Sequence, residues 1–103
     1  MSSVEVARQE WEEGSRRLES FRDDPRRYGS LLELHELLLD ELRKRVGQTF
    51  TLAQLAAAYG DAERWARDLV EQRATAPGGA RDLATALAAA FHAYSRGAID
   101  YEP

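Results

Sequence analysis

The fold is decided by residues 28–46, which read YGSLLELHELLLDELRKRV. The apolar side chains in this stretch recur with the 3.6-residue period of an α-helix, so a leucine-rich face lies opposite a charged one. The predicted inner face comprises Tyr28, Leu31, Leu32, His35, Leu38, Leu39, Leu42 and Val46. Pro25 can begin this helix and Gly47 can end it. The sequence therefore predicts a long amphipathic helix at the core of the protein.

A second long helix is predicted over residues 4–22. Its narrow apolar stripe comprises Val4, Ala7, Trp11, Gly14, Leu18 and Phe21. Glycine in a helix interior costs about 1 kcal/mol relative to alanine. Gly14 therefore indicates either a bend or the close approach of a neighbouring helix.

The C-terminal half predicts shorter helices. Thr51 and Gln54 have the spacing of a capping box, in which each side chain bonds to the other residue's amide at a helix start. Gly60 is expected to end that helix, and Asp61 to cap the next one. The last helix is predicted from residue 79 or 80 to residue 96, and a short tail is expected to dock on the bundle. The prediction is one all-α domain over residues 1–103, with about five helices: two long, two short joined at Gly60, and one C-terminal.

Composition limits the classes of function. The chain has 103 residues, 44% of them hydrophobic and 31% charged, which is enough apolar material for a single core. It has no cysteine, which excludes disulfides, thiolate metal sites and a cysteine nucleophile. No apolar run is long enough for a membrane span, and the first residues are too acidic for a secretory signal, so a cytoplasmic protein is expected. The preference for arginine over lysine and the abundant alanine suggest a bacterial source with a GC-rich genome.

Residues 51–73 raise the alternative of a helix-turn-helix regulator that binds DNA. The small residue and the glycine that such a motif needs are present, and Arg64 and Arg67 would face the phosphates. Carboxylates at Glu63 and Glu71 share that outer face and would be repelled by a phosphate backbone. A corner in a helical bundle is therefore the favoured interpretation, and binding to nucleic acid is not expected.

Enzyme chemistry finds little support in the sequence. There is no serine elbow, no phosphate-binding loop and no pair of histidines at metal-ligand spacing, so no catalytic residue, metal or cofactor is predicted. His35 lies in the middle of the apolar face, where it either bonds to a backbone carbonyl or to a tyrosine such as Tyr59 or Tyr94, or lines a small-ligand pocket. His92 is expected to be exposed.

Apolar side chains that the helical core does not use provide the best indication of function. Leu34 and Leu37 lie off the predicted core face, small residues follow the outer side of the last helix, and the Trp11 stripe is narrow enough for pairing between subunits. The predicted partner-binding residues are Trp11, Leu34, Leu37, Ala88, Ala89 and His92. The sequence thus predicts a non-enzymatic helical interaction or regulatory module that binds a protein partner or a second copy of itself as a homodimer.

Overall fold

A computed structural model describes residues 2–72 and 79–103, and these residues form four α-helices. The helices are α1 (Ser3–Glu19), α2 (Pro25–Val46), α3 (Leu52–Gln72) and α4 (Ala80–Ser95). All regular secondary structure in the described residues is helical, which confirms the all-α class. No helix among them is both long enough and apolar enough to cross a bilayer. The proline and glycines of residues 74–80 predict a loop, and most of these residues lie outside the described part of the chain.

Side chains near the ends of three helices bond to the free amides of the first turn. Ser2 Oγ accepts a bond from Glu5 N at 3.2 Å, and Asp24 accepts one from an amide in the first turn of α2. At α3, Gln54 N donates to Thr51 Oγ1 at 3.2 Å, and Thr51 N donates to Gln54 Oε1 at 2.9 Å. Both bonds of the predicted capping box are therefore present, and α3 begins where the sequence indicates.

The predicted corner at Gly60 is wrong, because α3 continues through it as one helix. The apolar stripe crosses the glycine without a change of spacing, through Leu52, Leu55, Tyr59, Ala62, Ala66 and Val70. A break at Gly60 would remove the residues that follow it, such as Val70, from this buried stripe. Burying one valine stabilises a fold by about 1.5–3 kcal/mol. That gain exceeds the cost of about 1 kcal/mol for one helical glycine. The described residues consequently form four helices, because the two short helices predicted on either side of Gly60 are one helix.

Helix α4 lies at the centre and packs against α1, α2 and α3. Its alanine-rich sequence allows the other helices to approach it from several sides, and most of its residues are buried. Phe91 stacks on Trp11 with ring centroids 5.7 Å apart, and the centroids of the Tyr59 and Phe91 rings are 4.9 Å apart. Aromatic side chains from α1, α3 and α4 therefore meet in one core.

Gly14 marks a close approach of helices. A Cβ atom at this position would lie 3.1 Å from Ala89 N and well inside van der Waals contact with Ala88 Cβ. Of the two alternatives that the sequence leaves open, the structure shows close approach, with α1 continuous from Ser3 to Glu19.

The buried face of α2 differs from the predicted one. It comprises Leu31, Leu34, Leu38, Leu39 and Leu42, whereas Leu32 is 38% exposed and His35 is half-buried. Seven leucines in twelve positions define two overlapping apolar faces, so the pattern alone does not orient this helix. Packing against α4 selects the Leu34 side.

The C-terminal residues contact the beginnings of α1 and α3. Ile99 N donates to the Phe50 carbonyl at 3.0 Å, and the Asp100 carboxylate accepts the first amide of α3 at 2.9 Å. The guanidinium of Arg8 donates to the Glu102 carbonyl at 2.8 Å. These bonds connect the end of the chain to two helices that are distant from it in sequence.

Candidate functional site

Most of the predicted partner-binding residues lie inside the protein. Trp11, Leu34, Ala88 and Ala89 are buried, and Leu37 is half-buried against the core. The prediction that these side chains form an outer surface is therefore wrong. Because α4 is central, the alanine strip assigned to its outer side is covered by α1.

The apolar surface that remains on α2 follows a flank beside its buried face. This flank, called the α2 flank below, comprises Tyr28, Leu32, His35 and Val46, which fall within a narrow sector at 3.6 residues per turn together with the buried Leu39. Leu32 is the most exposed of them, at 38%, and Tyr28, His35 and Val46 are half-buried. Glu36 and Arg43 are exposed and border its outer edge. The flank is an apolar stripe with charges of both signs beside it.

A polar cluster occupies the contact between α1 and α4. Ser15 Oγ and His92 Nδ1 lie 2.7 Å apart, and both residues are half-buried, so the prediction that His92 is exposed is wrong. The serine donates when the proton of the neutral ring is on Nε2, and the imidazole donates when it is on Nδ1. In the first case the Nε2–H group can donate to a further group, and in the second case the serine hydroxyl can.

Burial and the charged residues around His92 shift its pKa. Burial lowers the pKa of His92, and the positive charges of Arg96, Arg8 and Arg16 lower it further. The Glu12 carboxylate acts in the opposite direction. The imidazole is therefore neutral near pH 7, because its pKa lies below the ordinary value for histidine. Ser15 could not be predicted as a partner of His92 from the sequence, because the two residues are 77 positions apart in the chain.

The two arginines of the DNA-binding alternative are paired within α3. Arg64 lies 3.3 Å from Asp61, and Arg67 lies 2.8 Å from Glu63. The segment is a single helix, so the turn between two helices that the motif requires is missing from residues 52–72. Residue 73 lies outside the described residues.

His35 and the tyrosines do not form the predicted network. Tyr94 donates its hydroxyl to the Gly47 carbonyl, and Tyr59 packs on Trp11 and Phe91. Burial raises the pKa of Tyr59 to about 12, with a further contribution from the nearby carboxylates. In the described part of the chain His35 makes no side-chain hydrogen bond, and it lies on the α2 flank.

A shallow cavity of about 290 Å³ opens between the C-terminal halves of α2 and α3. It is lined by Glu41, Lys44, Arg45, Trp65, Asp68, Leu69 and Gln72. Arg45 lies over the Trp65 ring, 4.9 Å from its centroid, and pairs with Glu41 at 3.2 Å. The charges that line this cavity are thus partly neutralised by one another.

Within residues 2–72 and 79–103, no three histidine or carboxylate side chains lie together as metal ligands.

Comparison with known proteins does not place the chain in a family. No protein-family model, curated protein or solved structure matches the sequence or the fold.

Proposed function

We propose that the protein is a small helical interaction module that pairs with a second copy of itself through the α2 flank. The observation that carries the proposal is the exposure of Leu32 in line with the other apolar side chains of the flank. An apolar stripe along one helix is the kind of surface that helix pairing between subunits uses. This surface replaces the one predicted from the sequence, and the expected type of function is unchanged.

The charges beside the α2 flank favour an antiparallel, twofold pair. Glu36 and Arg43 are exposed and lie seven positions apart, on the same side of the helix, and Arg43 also pairs with Asp40 one turn before it. A twofold axis near Leu39 places Glu36 of each copy opposite Arg43 of the other. Because such an isologous interface uses the same surface of both copies, the ion pair between Glu36 and Arg43 forms twice.

Molar mass measured by light scattering during size exclusion, over a wide range of protein concentration, tests the proposal. The natural chain should move toward the mass of a dimer as concentration rises, and Leu32→Glu should remain at the monomer mass. Val6→Glu is the matched control, because Val6 is 46% exposed on α1 and receives the same change outside the flank. A natural chain that is monomeric at every concentration, or equal dimerisation by the two variants, would contradict the proposal.

Charge exchange tests the orientation of the pair. Glu36→Arg alone places like charges opposite each other and should weaken dimerisation. Glu36→Arg combined with Arg43→Glu restores opposite charges and should recover most of the loss. If the double variant is as weak as the single one, the twofold arrangement is wrong.

The C-terminal tail is also part of this proposal, as a segment that is fixed to the helical bundle. We propose that residues 98–103 stay bound to the bundle in solution. The bonds from Ile99 to Phe50 and from Arg8 to Glu102 support this, because they join the tail to two separate regions of the fold.

A further inference from the structure

The polar cluster between α1 and α4 has an excess of positive charge. It comprises Arg8, Glu12, Ser15, Arg16, His92 and Arg96, with three guanidinium groups and one carboxylate. Positions 8, 12, 15 and 16 share one face of α1, His92 lies in the last turn of α4, and Arg96 is the residue that follows this helix. The two helices therefore present these groups to the same space.

The arginines of the cluster differ in what they already bind. Arg8 donates to the Glu102 carbonyl and lies over the Tyr101 ring, 5.4 Å from its centroid. Arg16 and Arg96 are exposed, and neither has an ion-pair partner within residues 2–72 and 79–103. Neighbouring Arg17, by contrast, pairs with a carboxylate of its own helix. Two guanidinium groups beside the serine and histidine thus keep their charge for another ligand.

We propose that this cluster is a binding site for a tetrahedral oxyanion, such as the phosphate group of a small phosphorylated ligand. Arg16 and Arg96 supply the opposite charge, and Ser15 and His92 supply hydrogen bonds from the half-buried floor of the site. Arginine suits this role because its guanidinium presents several fixed N–H donors to phosphate oxygens. The proposal does not depend on dimerisation through the α2 flank.

Anion binding at this site is coupled to protonation of His92. In the free protein, burial and the charges of Arg96, Arg8 and Arg16 lower the pKa of His92, and Glu12 acts in the opposite direction. In the described residues these charged groups belong to α1, apart from Arg96, which follows α4. A bound anion offsets the arginine charges and favours the imidazolium, so it raises this pKa. By linkage, the affinity for the anion must rise as the pH falls from 7 through the titration of His92.

Sulfate is the appropriate first probe, because its charge does not change in the pH range in which histidine titrates. The imidazole signals of both histidines are followed by NMR against pH, with sulfate and with chloride at the same ionic strength. We expect sulfate to raise the pKa of His92 in a saturable way and to leave His35 unchanged, since His35 lies on α2 away from the cluster. Equal responses of the two histidines, or the same response to chloride, would show a general salt effect and overturn the proposal.

Single substitutions test which residues hold the anion. Arg96→Gln should weaken sulfate binding about tenfold, since it removes one charge-assisted contact. Arg64→Gln is the control, because Arg64 is exposed on α3, and it should bind sulfate as the natural chain does. Because both side chains are exposed, neither change disturbs the core. Binding that is unaffected by Arg96→Gln would place the anion elsewhere and refute the assignment.

Inorganic phosphate and a phosphomonoester, compared at one pH, identify the source of the oxyanion. Tighter binding of the monoester assigns the site to a phosphorylated small molecule, and equal binding assigns it to the free ion. Both results keep the oxyanion site. Failure of phosphate, monoester and sulfate to perturb His92 would overturn it.

Discussion

The substitution Gly14→Ala tests the close packing of α1 on α4. At an exposed position in a helix interior this change stabilises a protein by up to about 1 kcal/mol, because alanine has the higher helix propensity. Here the added methyl group would overlap Ala88 Cβ and lie 3.1 Å from Ala89 N. Neither atom belongs to a flexible side chain, so the helices themselves must move apart.

The magnitude follows from two opposing terms. Overpacking a tight core typically costs about 1–3 kcal/mol, and the propensity gain offsets about 1 kcal/mol of that. Since the obstructing atoms are rigid, we expect the upper part of this range and a net loss of about 1–2 kcal/mol in the free energy of unfolding. In a chain of this length 1 kcal/mol corresponds to roughly 4–8 °C in Tm.

Gly60→Ala provides the matched control for the helix-propensity term. Gly60 also lies inside a helix, but nothing would contact a Cβ atom there within 4 Å. The control should gain up to about 1 kcal/mol, so the two glycine variants should differ by about 2–3 kcal/mol in urea unfolding. If Gly14→Ala stabilises the protein as much as Gly60→Ala does, α1 and α4 are not in close contact.

Two further predictions concern ionisable groups. Arg27 bonds to Asp82 at 2.8 Å, and the Asp82 side chain is only 9% exposed. Asp82→Ala should lower the free energy of unfolding by about 1–2 kcal/mol, because it removes a largely buried acceptor while the half-exposed arginine can return to water. The same change at Glu63, whose ion pair is exposed, should cost about 0.5 kcal/mol or less, and equal losses at the two sites would contradict the assignment. Burial raises the pKa of Tyr59 to about 12 from 10, so the unfolded chain loses this proton first and stability should fall as pH rises from 10 to 12. In Tyr59→Phe this part of the pH dependence should disappear, and an unchanged profile in urea unfolding against pH would refute it.

Local sequence signals predicted the starts of α2 and α3 and the end of α2. The bonds between Thr51 and Gln54 form within four residues, so their geometry depends little on the rest of the fold. Pro25 and Gly47 likewise fix the ends of α2 by backbone preference, with Gly47 at φ 82°. At Gly60 the local preference was opposed by a stripe of buried side chains on both sides, and the stripe prevailed.

The orientation of faces could not be predicted, because it depends on which helix becomes central. Leu32 and Leu34 are two positions apart, and the apolar pattern permits either to be buried. Gly14 and the alanines of α4 were each recognised as small residues that permit close approach. The sequence did not show that these residues pack against each other. That contact can be recognised only when surfaces of small residues on different helices are compared.

The close approach at Gly14 also sets the geometry of the oxyanion site. Ser15 is the next residue on α1, and its 2.7 Å contact with His92 crosses the same interface. A shift of α1 that admits a methyl group at Gly14 moves Ser15 relative to His92, and a hydrogen bond weakens steeply as its distance and angle change. The glycine therefore does more than relieve a clash in the core. It brings the serine and the histidine close enough to act on one ligand, so the packing of α1 on α4 and the proposed anion site depend on a single residue.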